Sequence, residues 1–322
     1  MKHKKLYKNV LFVVIMISLL IGASSLSRII AVKTKDTSSL KRFAIETELL
    51  GEEPNSIDVL AIGDSECYTS ISPYQIWNET GATTFLASQL GQSSSEAYHL
   101  LKMALKNQNP KVVLVEADMF YQYDNLKGSG MMAVKSITDE YFSVFRYHSI
   151  WKSAFNETKP KATYKGFKIY DKVVPAGNAD TYMQDRGEVR EIQTVNHMFA
   201  DLIFKKIKKS GASIIVFSAP STMEHSLAKH NSIVKLAKEY DVPYVDMNMD
   251  SRVQIDWARD TQDGGDHINI SGAERTTALI TECLKEYKLR DKRNDSKYAS
   301  WNEGAKKYLK EANAKIKKIR EN

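Results

Sequence analysis

Five short apolar runs, separated by stretches with helical periodicity, constrain the fold of this 322-residue chain more than any other feature. The runs are rich in aliphatic side chains and too short for helices, so they predict buried strands. They lie at Asp58–Ile62, Ala82–Leu86, Val112–Glu116, Ser213–Ser218 and Tyr244–Asp246. Strands that alternate with helices are typical of a parallel sheet covered on both faces. We therefore predict an α/β fold with three layers, α/β/α, around a central, mostly parallel sheet.

Helical periodicity is clearest in four segments. The first predicted helix begins at Ser93-Ser94-Ser95-Glu96, which has capping-box spacing. The other three cover Glu224–Tyr240, Ser271–Tyr287 and Trp301–Ile319. Residues 120–191 fit neither pattern and are too long for an ordinary connection. We interpret this stretch as a lobe inserted beside the site.

The N-terminus has the pattern of a membrane segment. Lysines at positions 2, 4, 5 and 8 precede Val10–Ala23, in which only Ser18 and Gly22 interrupt the apolar side chains. A basic flank before an apolar run directs the remainder of the chain out of the cytoplasm. These fourteen residues fall short of the ~20 that a span needs, so a signal peptide cleaved near Ala23-Ser24-Ser25 is an alternative. Because the helical pattern persists to Val32, we favour a retained single-pass anchor in the cell membrane, with the body extracytoplasmic.

These patterns divide the chain into five parts. We predict a cytoplasmic basic flank at 1–8, a transmembrane signal-anchor at 9–32, a linker at 33–55, the α/β domain at 56–290 with its lobe at about 120–191, and a charged C-terminal helix at 291–322.

The distribution of charge excludes a nucleic-acid partner. The formal net charge is +7, but the excess lies at the two ends of the chain and leaves a slightly acidic body. The sequence contains neither a CxxC nor an HExxH pattern, which argues against a structural zinc site or zincin chemistry. We expect no metal and no cofactor. A metal at the carboxylate-rich glycine turn of 263–267 is the alternative, although few ligands are evident there.

A candidate nucleophile follows the first predicted strand. Gly63-Asp64-Ser65 places Ser65 at a strand's carboxyl end, where open α/β sheets bind ligands. A glycine there permits a tight turn, and the amides of a following helix can stabilise a reacting oxygen. Taken alone, the tripeptide is explained better by a strand-to-helix turn with a capping serine.

A candidate base lies two hundred residues later, in Asp263-Gly264-Gly265-Asp266-His267. Serine is a poor nucleophile, so a base must accept its proton and a third group must orient that base. Asp263 can fold back to His267 across the glycine turn, whereas neighbouring side chains usually diverge. We therefore prefer Asp263 as the orienting carboxylate, with Asp266 as the alternative. A histidine at a helix N-terminus without chemistry is the competing interpretation.

These segments resemble the blocks of the SGNH (GDSL) hydrolases. Gly63-Asp64-Ser65 is similar to the first block, Gln89-Leu90-Gly91-Gln92 to the second and 263–267 to the last. The resemblance implies that Ser65 is the nucleophile and that the Gly91 amide lines the oxyanion hole, with Gln92 and Asp64 beside it. Two departures stand out. Gly264 occupies the aspartate position of Asp-x-x-His, and Val115-Glu116-Ala117-Asp118 stands in place of Gly-x-Asn-Asp.

The order of anchor and motifs is similar to that of a membrane-anchored, extracytoplasmic branch that includes DltD and the alginate O-acetylation proteins. This resemblance implies an O-acyltransferase or esterase that acts on a cell-envelope glycan or teichoic-type polymer through an acyl-serine. It also implies a membrane-bound O-acyltransferase partner. The alternatives are a non-catalytic scaffold for such a partner and a lipid or carbohydrate ester hydrolase.

Overall fold

The computed structural model describes residues 2–34, 40–150, 164–184 and 187–321, and within them confirms the α/β fold. Five parallel strands form one sheet in the order β2-β1-β3-β4-β5. The strands are β1 (Val59–Gly63), β2 (Thr84–Ser88), β3 (Val112–Glu116), β4 (Ser213–Ser218) and β5 (Tyr244–Asp246). Strand β2 begins two residues later than predicted, because Thr83 is held outside the ladder by the Asp58 carboxylate, which accepts from its amide at 3.1 Å.

Helices connect the strands and flank the sheet. The α-helices are α1 (Lys2–Thr34), α2 (Ala44–Leu50), α3 (Ser65–Ser70), α4 (Pro73–Thr80), α5 (Ser94–Asn107), α6 (Leu126–Tyr141), α7 (Ser143–Arg146), α8 (Thr194–Ser210), α9 (Leu227–Tyr240), α10 (Ile270–Leu284) and α11 (Ala299–Glu321). Helix α9 starts three residues after its predicted start, because the Ser226 hydroxyl caps it by accepting from the Lys229 amide.

The sheet separates two apolar cores. Alternate residues of each strand point to opposite faces, so Val59 and Ala61 pack with α3, α4, α10 and α11, while Leu60 and Ile62 pack with α5 and α8. All five residues of β1 are buried. Strands buried on both faces explain why the sequence shows continuous apolar runs instead of alternation.

The C-terminal helix α11 belongs to one of these cores. Trp301 and Tyr308 are buried and contact Tyr74 of α4, with ring centroids 5.4 and 6.1 Å apart. The many lysines of α11 occupy its exposed side. The charged helix therefore closes one face of the α/β domain.

The chain order reverses direction between β1 and β3. Strand β2 lies on one side of β1, whereas β3, β4 and β5 follow on the other. The carboxyl ends of β1 and β3 therefore flank a topological switch point, the usual position of a binding crevice in this fold class. Ser65 follows β1, and Glu116 with Asp118 stands at the end of β3.

Helix α1 is long and apolar enough to cross a membrane, over Lys4–Lys33, a pattern that a signal sequence shares. Its last turns contact the domain: Ser143 Oγ donates to the Ser24 carbonyl at 3.0 Å, and the Val144 amide donates to Ser24 Oγ at 3.2 Å. The contacting helix α7, together with α6 before it, forms the first part of the predicted lobe. Residues 151–163 and 185–186 of that lobe lie outside the described residues.

Candidate active site

Ser65 is the first residue of α3, directly beyond β1. A Cβ on Gly63 would lie 2.4 Å from Glu116 Cβ and 2.8 Å from Cys67 Cβ. Gly63 does not have a positive φ, so it is not the left-handed freedom of glycine that this position uses. Glycine is required there because β3 and α3 approach too closely for any side chain. The close approach brings Ser65 beside the end of β3.

Asp64 fixes the start of α3. Its carboxylate accepts from the Glu66 amide at 3.0 Å, which makes it the N-cap, and from Gln122 Nε2 at 2.9 Å. The Ser65 side chain is largely buried. Asp64 is thus placed to position the Ser65 backbone rather than to receive a substrate.

The loop before α10 carries the predicted base. Gly264 and Gly265 have φ of 86° and 102°, in the region that favours glycine. The Thr222 amide donates to the Gly265 carbonyl at 2.7 Å, and the Gly265 amide donates to Thr261 Oγ1 at 2.8 Å. These bonds tie the loop to the segment after β4, at the edge of the sheet where Ser65 also lies.

His267 is oriented by Asp263. Its Nδ1 lies 2.7 Å from Asp263 Oδ2, and its backbone amide donates to Asp263 Oδ1, also at 2.7 Å. Asp266 Oδ2 is farther from the same nitrogen, at 3.4 Å. The other ring nitrogen, Nε2, is directed at the start of α3 and lies 3.9 Å from Glu66 Oε1. The structure thus brings His267 beside the residue that follows Ser65, although no hydrogen bond joins His267 to Ser65 among the described residues.

Three buried carboxyl groups surround this point. Burial, followed by the charge of Asp118, raises the pKa of Asp64 to about 8. Burial together with the charge of Asp64 also raises the pKa of Glu66 and that of Glu116 well above their ordinary value. Both oxygens of Glu66 lack a hydrogen-bond partner among the described residues. Asp64 therefore favours its neutral, protonated form at neutral pH, and burial shifts Glu66 and Glu116 in the same direction.

Sequence reasoning missed most of this acidic cluster. Lys229 Nζ donates to Asp118 Oδ1 at 2.6 Å, and Gln122 joins Asp118 to Asp64. Glu116 accepts from the Asp118 amide at 2.7 Å. Glu116 and Asp118 had a sequence signal, since they follow a predicted strand, but only the strand order shows that this strand lies next to β1. Lys229 had none.

The loop after β2 holds the two remaining predicted site residues. Gly91 has a φ of 56° and open space around its Cα. Gln92 is fully buried, and its Nε2 donates to the Ala87 carbonyl at 3.2 Å. Because Ser88 pairs with Gly63, this loop begins beside the turn that carries Ser65.

Two groups of side chains within the described ranges have donors close enough for a metal ion. One is Glu66, Asp266 and His267; the other is His225, His230 and Asp246. In the second group, Asp246 Oδ2 lies 3.0 Å from His225 Nε2 and 2.6 Å from His230 Nδ1. Atoms bound to one tetrahedral zinc lie about 3.4 Å apart, so these distances fit direct hydrogen bonds better.

Comparisons with known proteins give limited guidance. No protein-family model matches the sequence, and no curated protein is significantly similar to it. A Bacteroides fragilis structure to which acylhydrolase activity is ascribed has a TM-score of 0.38 at 12% identity, over 75% of this chain and 92% of that one. A phosphoribosyltransferase from Thermus thermophilus, acting on nicotinate nucleotide and dimethylbenzimidazole, has a TM-score of 0.22 at 8% identity, over 84% and 97%. At these TM-scores neither likeness bears on the chemistry of the site.

Proposed function

We propose that this protein is a membrane-anchored, extracytoplasmic serine acyl enzyme, an O-acyltransferase or esterase that works through an acyl-Ser65 intermediate. The observation that carries the proposal is the orientation of His267. Asp263 holds Nδ1, and Nε2 is directed at the start of α3, where Ser65 lies. A serine, an imidazole and an orienting carboxylate are the groups that acyl transfer through an ester requires.

In the proposed reaction, His267 Nε2 accepts the proton of the Ser65 hydroxyl as the oxygen attacks an acyl carbonyl. The imidazolium then gives this proton to the leaving alcohol. In the second half, His267 deprotonates the acceptor hydroxyl as it attacks the acyl-Ser65, and the imidazolium then returns this proton to Ser65 Oγ as the ester bond to Ser65 breaks. The missing hydrogen bond between His267 and Ser65 must form when substrate binds, as it often does only in the substrate complex.

The oxyanion needs hydrogen-bond donors and a site without other negative charges nearby. The amides of Ser65 and Gly91 are the proposed donors, since Ser65 begins α3 and Gly91 lies in the loop after β2, at the same sheet edge. Ionised carboxylates beside an oxyanion would destabilise it. The raised pKa values of Asp64, Glu66 and Glu116 weaken this objection, because burial shifts each of these acids toward its neutral form, which does not repel an oxyanion.

The anchor and the acceptor are further parts of the proposal. Ser24 bonds to α7, and Ser24, Ser27 and Ala31 are buried against the domain, which supports a retained anchor rather than cleavage near Ser24. An anchored enzyme outside the cytoplasm has no thioester pool. We therefore propose that a membrane-bound O-acyltransferase supplies its acyl group and that an envelope glycan or teichoic-type polymer accepts it.

A fluorophosphonate probe tests the nucleophile. The full-length chain in detergent should be labelled at Ser65, as located by peptide mass spectrometry, and Ser65→Ala should abolish labelling. His267→Ala should slow labelling by about a thousandfold. The matched control is Ser70→Ala, a buried serine on the same short helix, which should label at the wild-type rate. A folded wild-type protein that does not react would refute the proposal.

A second candidate is a non-catalytic scaffold for the membrane partner. It is favoured by the third block, in which Ala117 stands at the Asn position of Gly-x-Asn-Asp and carries no side-chain donor. The two functions differ in a strain that carries Ser65→Ala: a scaffold would leave envelope acylation intact, whereas an acyl enzyme would lose it. Release of 4-nitrophenol from an acyl ester, with and without sugar acceptors, separates hydrolysis from transfer.

A further inference from the structure

Helix α6 turns its polar side toward the protein and its apolar side outward. Its buried side chains are Ser129, Ser136 and Asp139. Beyond its first turn, the exposed large apolar residues are Met131 (63% exposed), Val134 (66%), Ile137 (51%) and Tyr141 (70%), followed by Phe145 (50%) on α7. We call these five residues the α6–α7 stripe. A helix on a water-facing surface shows the opposite arrangement.

The orientation of α6 is fixed by its polar side. Ser136 Oγ lies 3.0 Å from Ser95 Oγ, and Ser129 Oγ donates to Gln193 Oε1 at 3.0 Å. The stripe residues of α6 recur at intervals of three or four, so they share one face of the helix. Turning that face inward would break these buried hydrogen bonds. The apolar exposure is therefore built into the packing of α6.

The stripe adjoins the anchor. Helix α7 follows α6 after one residue and is bonded to Ser24 of α1 through Ser143 and Val144. On α1, Leu26 and Ile29 are 59% and 52% exposed just beyond this contact. Small residues of α1, among them Ser24 and Ala31, are buried against the domain, as at helix contacts within membranes.

The length of the anchor places this contact within the bilayer. The run Val10–Ala23 has fourteen residues and covers about 21 Å at ~1.5 Å per residue, whereas the hydrocarbon core is ~30 Å thick. If the span begins at Val10, Ser24 lies about 9 Å inside the opposite boundary. Because α7 is bonded to Ser24, it is held at that depth too.

Charge near the stripe fits lipid headgroups. A cavity of about 390 Å³ beside Tyr141 is lined by Arg28, Lys102 and Lys106, among others. Basic side chains at the edge of an apolar surface are suited to the phosphates of the same lipids whose chains contact that surface. Lys102 is also paired with Glu140, so Arg28 and Lys106 would contribute most of the charge.

We propose that the α6–α7 stripe lies in the bilayer leaflet into which α1 emerges, with lipid acyl chains as its occupant. The stripe would lie in lipid beside the last turns of α1, and would hold the sheet edge with Ser65 at a fixed height above the membrane. This inference rests on the proposed anchor and is independent of the proposed catalysis.

Lipid-borne quenchers test the stripe. The full-length chain, carrying Cys283→Ser, receives single cysteines labelled with an environment-sensitive fluorophore and is reconstituted into phosphatidylcholine–phosphatidylglycerol vesicles. Cys67 is fully buried and stays unlabelled. Labels at Val134→Cys and Ile137→Cys should be quenched by nitroxides on the acyl chains to within about twofold of a label at Leu19→Cys in α1. Met131→Cys provides a further position if either variant folds poorly.

The matched control is Val234→Cys, an exposed valine on α9, which should respond only to aqueous iodide. Quenching at Leu19 without quenching at Val134 and Ile137 would overturn the stripe and leave the anchor standing. If neither quencher reaches the labels on the stripe, lipid does not cover the stripe, and a second copy of the chain covers it instead. No quenching at Leu19 would overturn the anchor, and the stripe with it.

Discussion

The close approach of β1 and β3 at Gly63 makes a strong prediction for Gly63→Ala. The added methyl carbon would lie 2.4 Å from Glu116 Cβ and 2.8 Å from Cys67 Cβ, whereas carbon atoms in contact prefer about 3.5–4.0 Å. The end of β1 must therefore move by about 1 Å relative to β3 or α3. Such overpacking typically costs about 1–3 kcal/mol.

One smaller effect opposes this cost. Alanine restricts the unfolded chain more than glycine and stabilises a protein by about 0.4–1 kcal/mol where its backbone conformation is allowed. Because the steric conflict is severe, we expect a cost near the top of that range, which leaves a net loss of about 2 kcal/mol. For a domain of this size, that corresponds to a fall in Tm of roughly 4–8 °C. Ser65 should also label more slowly, since its turn is displaced.

Thermal unfolding of the full chain in detergent, followed by tryptophan fluorescence, measures the difference. The matched control is Gly130→Ala on α6, where the same methyl meets nothing within 4 Å. We expect that variant to gain up to about 1 kcal/mol, because alanine is the better helix former. A Gly63→Ala protein as stable as the wild type would refute the packing argument, whatever the control does.

Three further predictions concern the site and its edge. Asp64→Asn keeps an N-cap and removes an acid whose pKa is raised to about 8, first by burial and then by the negative charge of Asp118. Because this raised pKa makes the wild type lose stability as the pH rises from about 4 to 8, the Tm of the variant relative to the wild type should increase over that interval. A series of thermal unfolding curves across this pH range measures the difference. Burial alone would raise the pKa of Asp246, but hydrogen bonds from His225 and His230 outweigh it and hold it well below its usual value. Asp246→Asn should therefore lower Tm at pH 7, and this difference in Tm from the wild type should shrink below pH 4, where the wild type loses the same stabilisation. A difference that stays constant below pH 4 would contradict a lowered pKa at Asp246. Gly265 has a φ of 102°, and the Cβ of Gly265→Ala would lie 2.1 Å from Thr222 Oγ1. The substitution should therefore displace His267 and slow fluorophosphonate labelling of Ser65 by about a hundredfold. An unchanged labelling rate would show that this loop takes no part in the chemistry.

The fold class was readable from the sequence because strand-length apolar runs and helical periodicity are local properties of the chain. The structure confirms the parallel sheet and the helices on both faces. Strand bounds were less certain, as at β2, because ladder pairing depends on contacts with a distant strand. The C-terminal helix shows the same limit: its lysines were evident, whereas its packing on Tyr74 was not.

By itself, the sequence determined that an apolar N-terminal helix precedes an α/β domain and that a serine and a histidine flank the sheet. Only the tertiary structure decided which strands adjoin. That order gathers Glu66, Glu116 and Asp118 around one point and leaves their carboxyl groups buried. It also decided that α6 presents its apolar side outward. The physical reason is that burial and electrostatic coupling arise between residues far apart in the chain, so no local pattern encodes them.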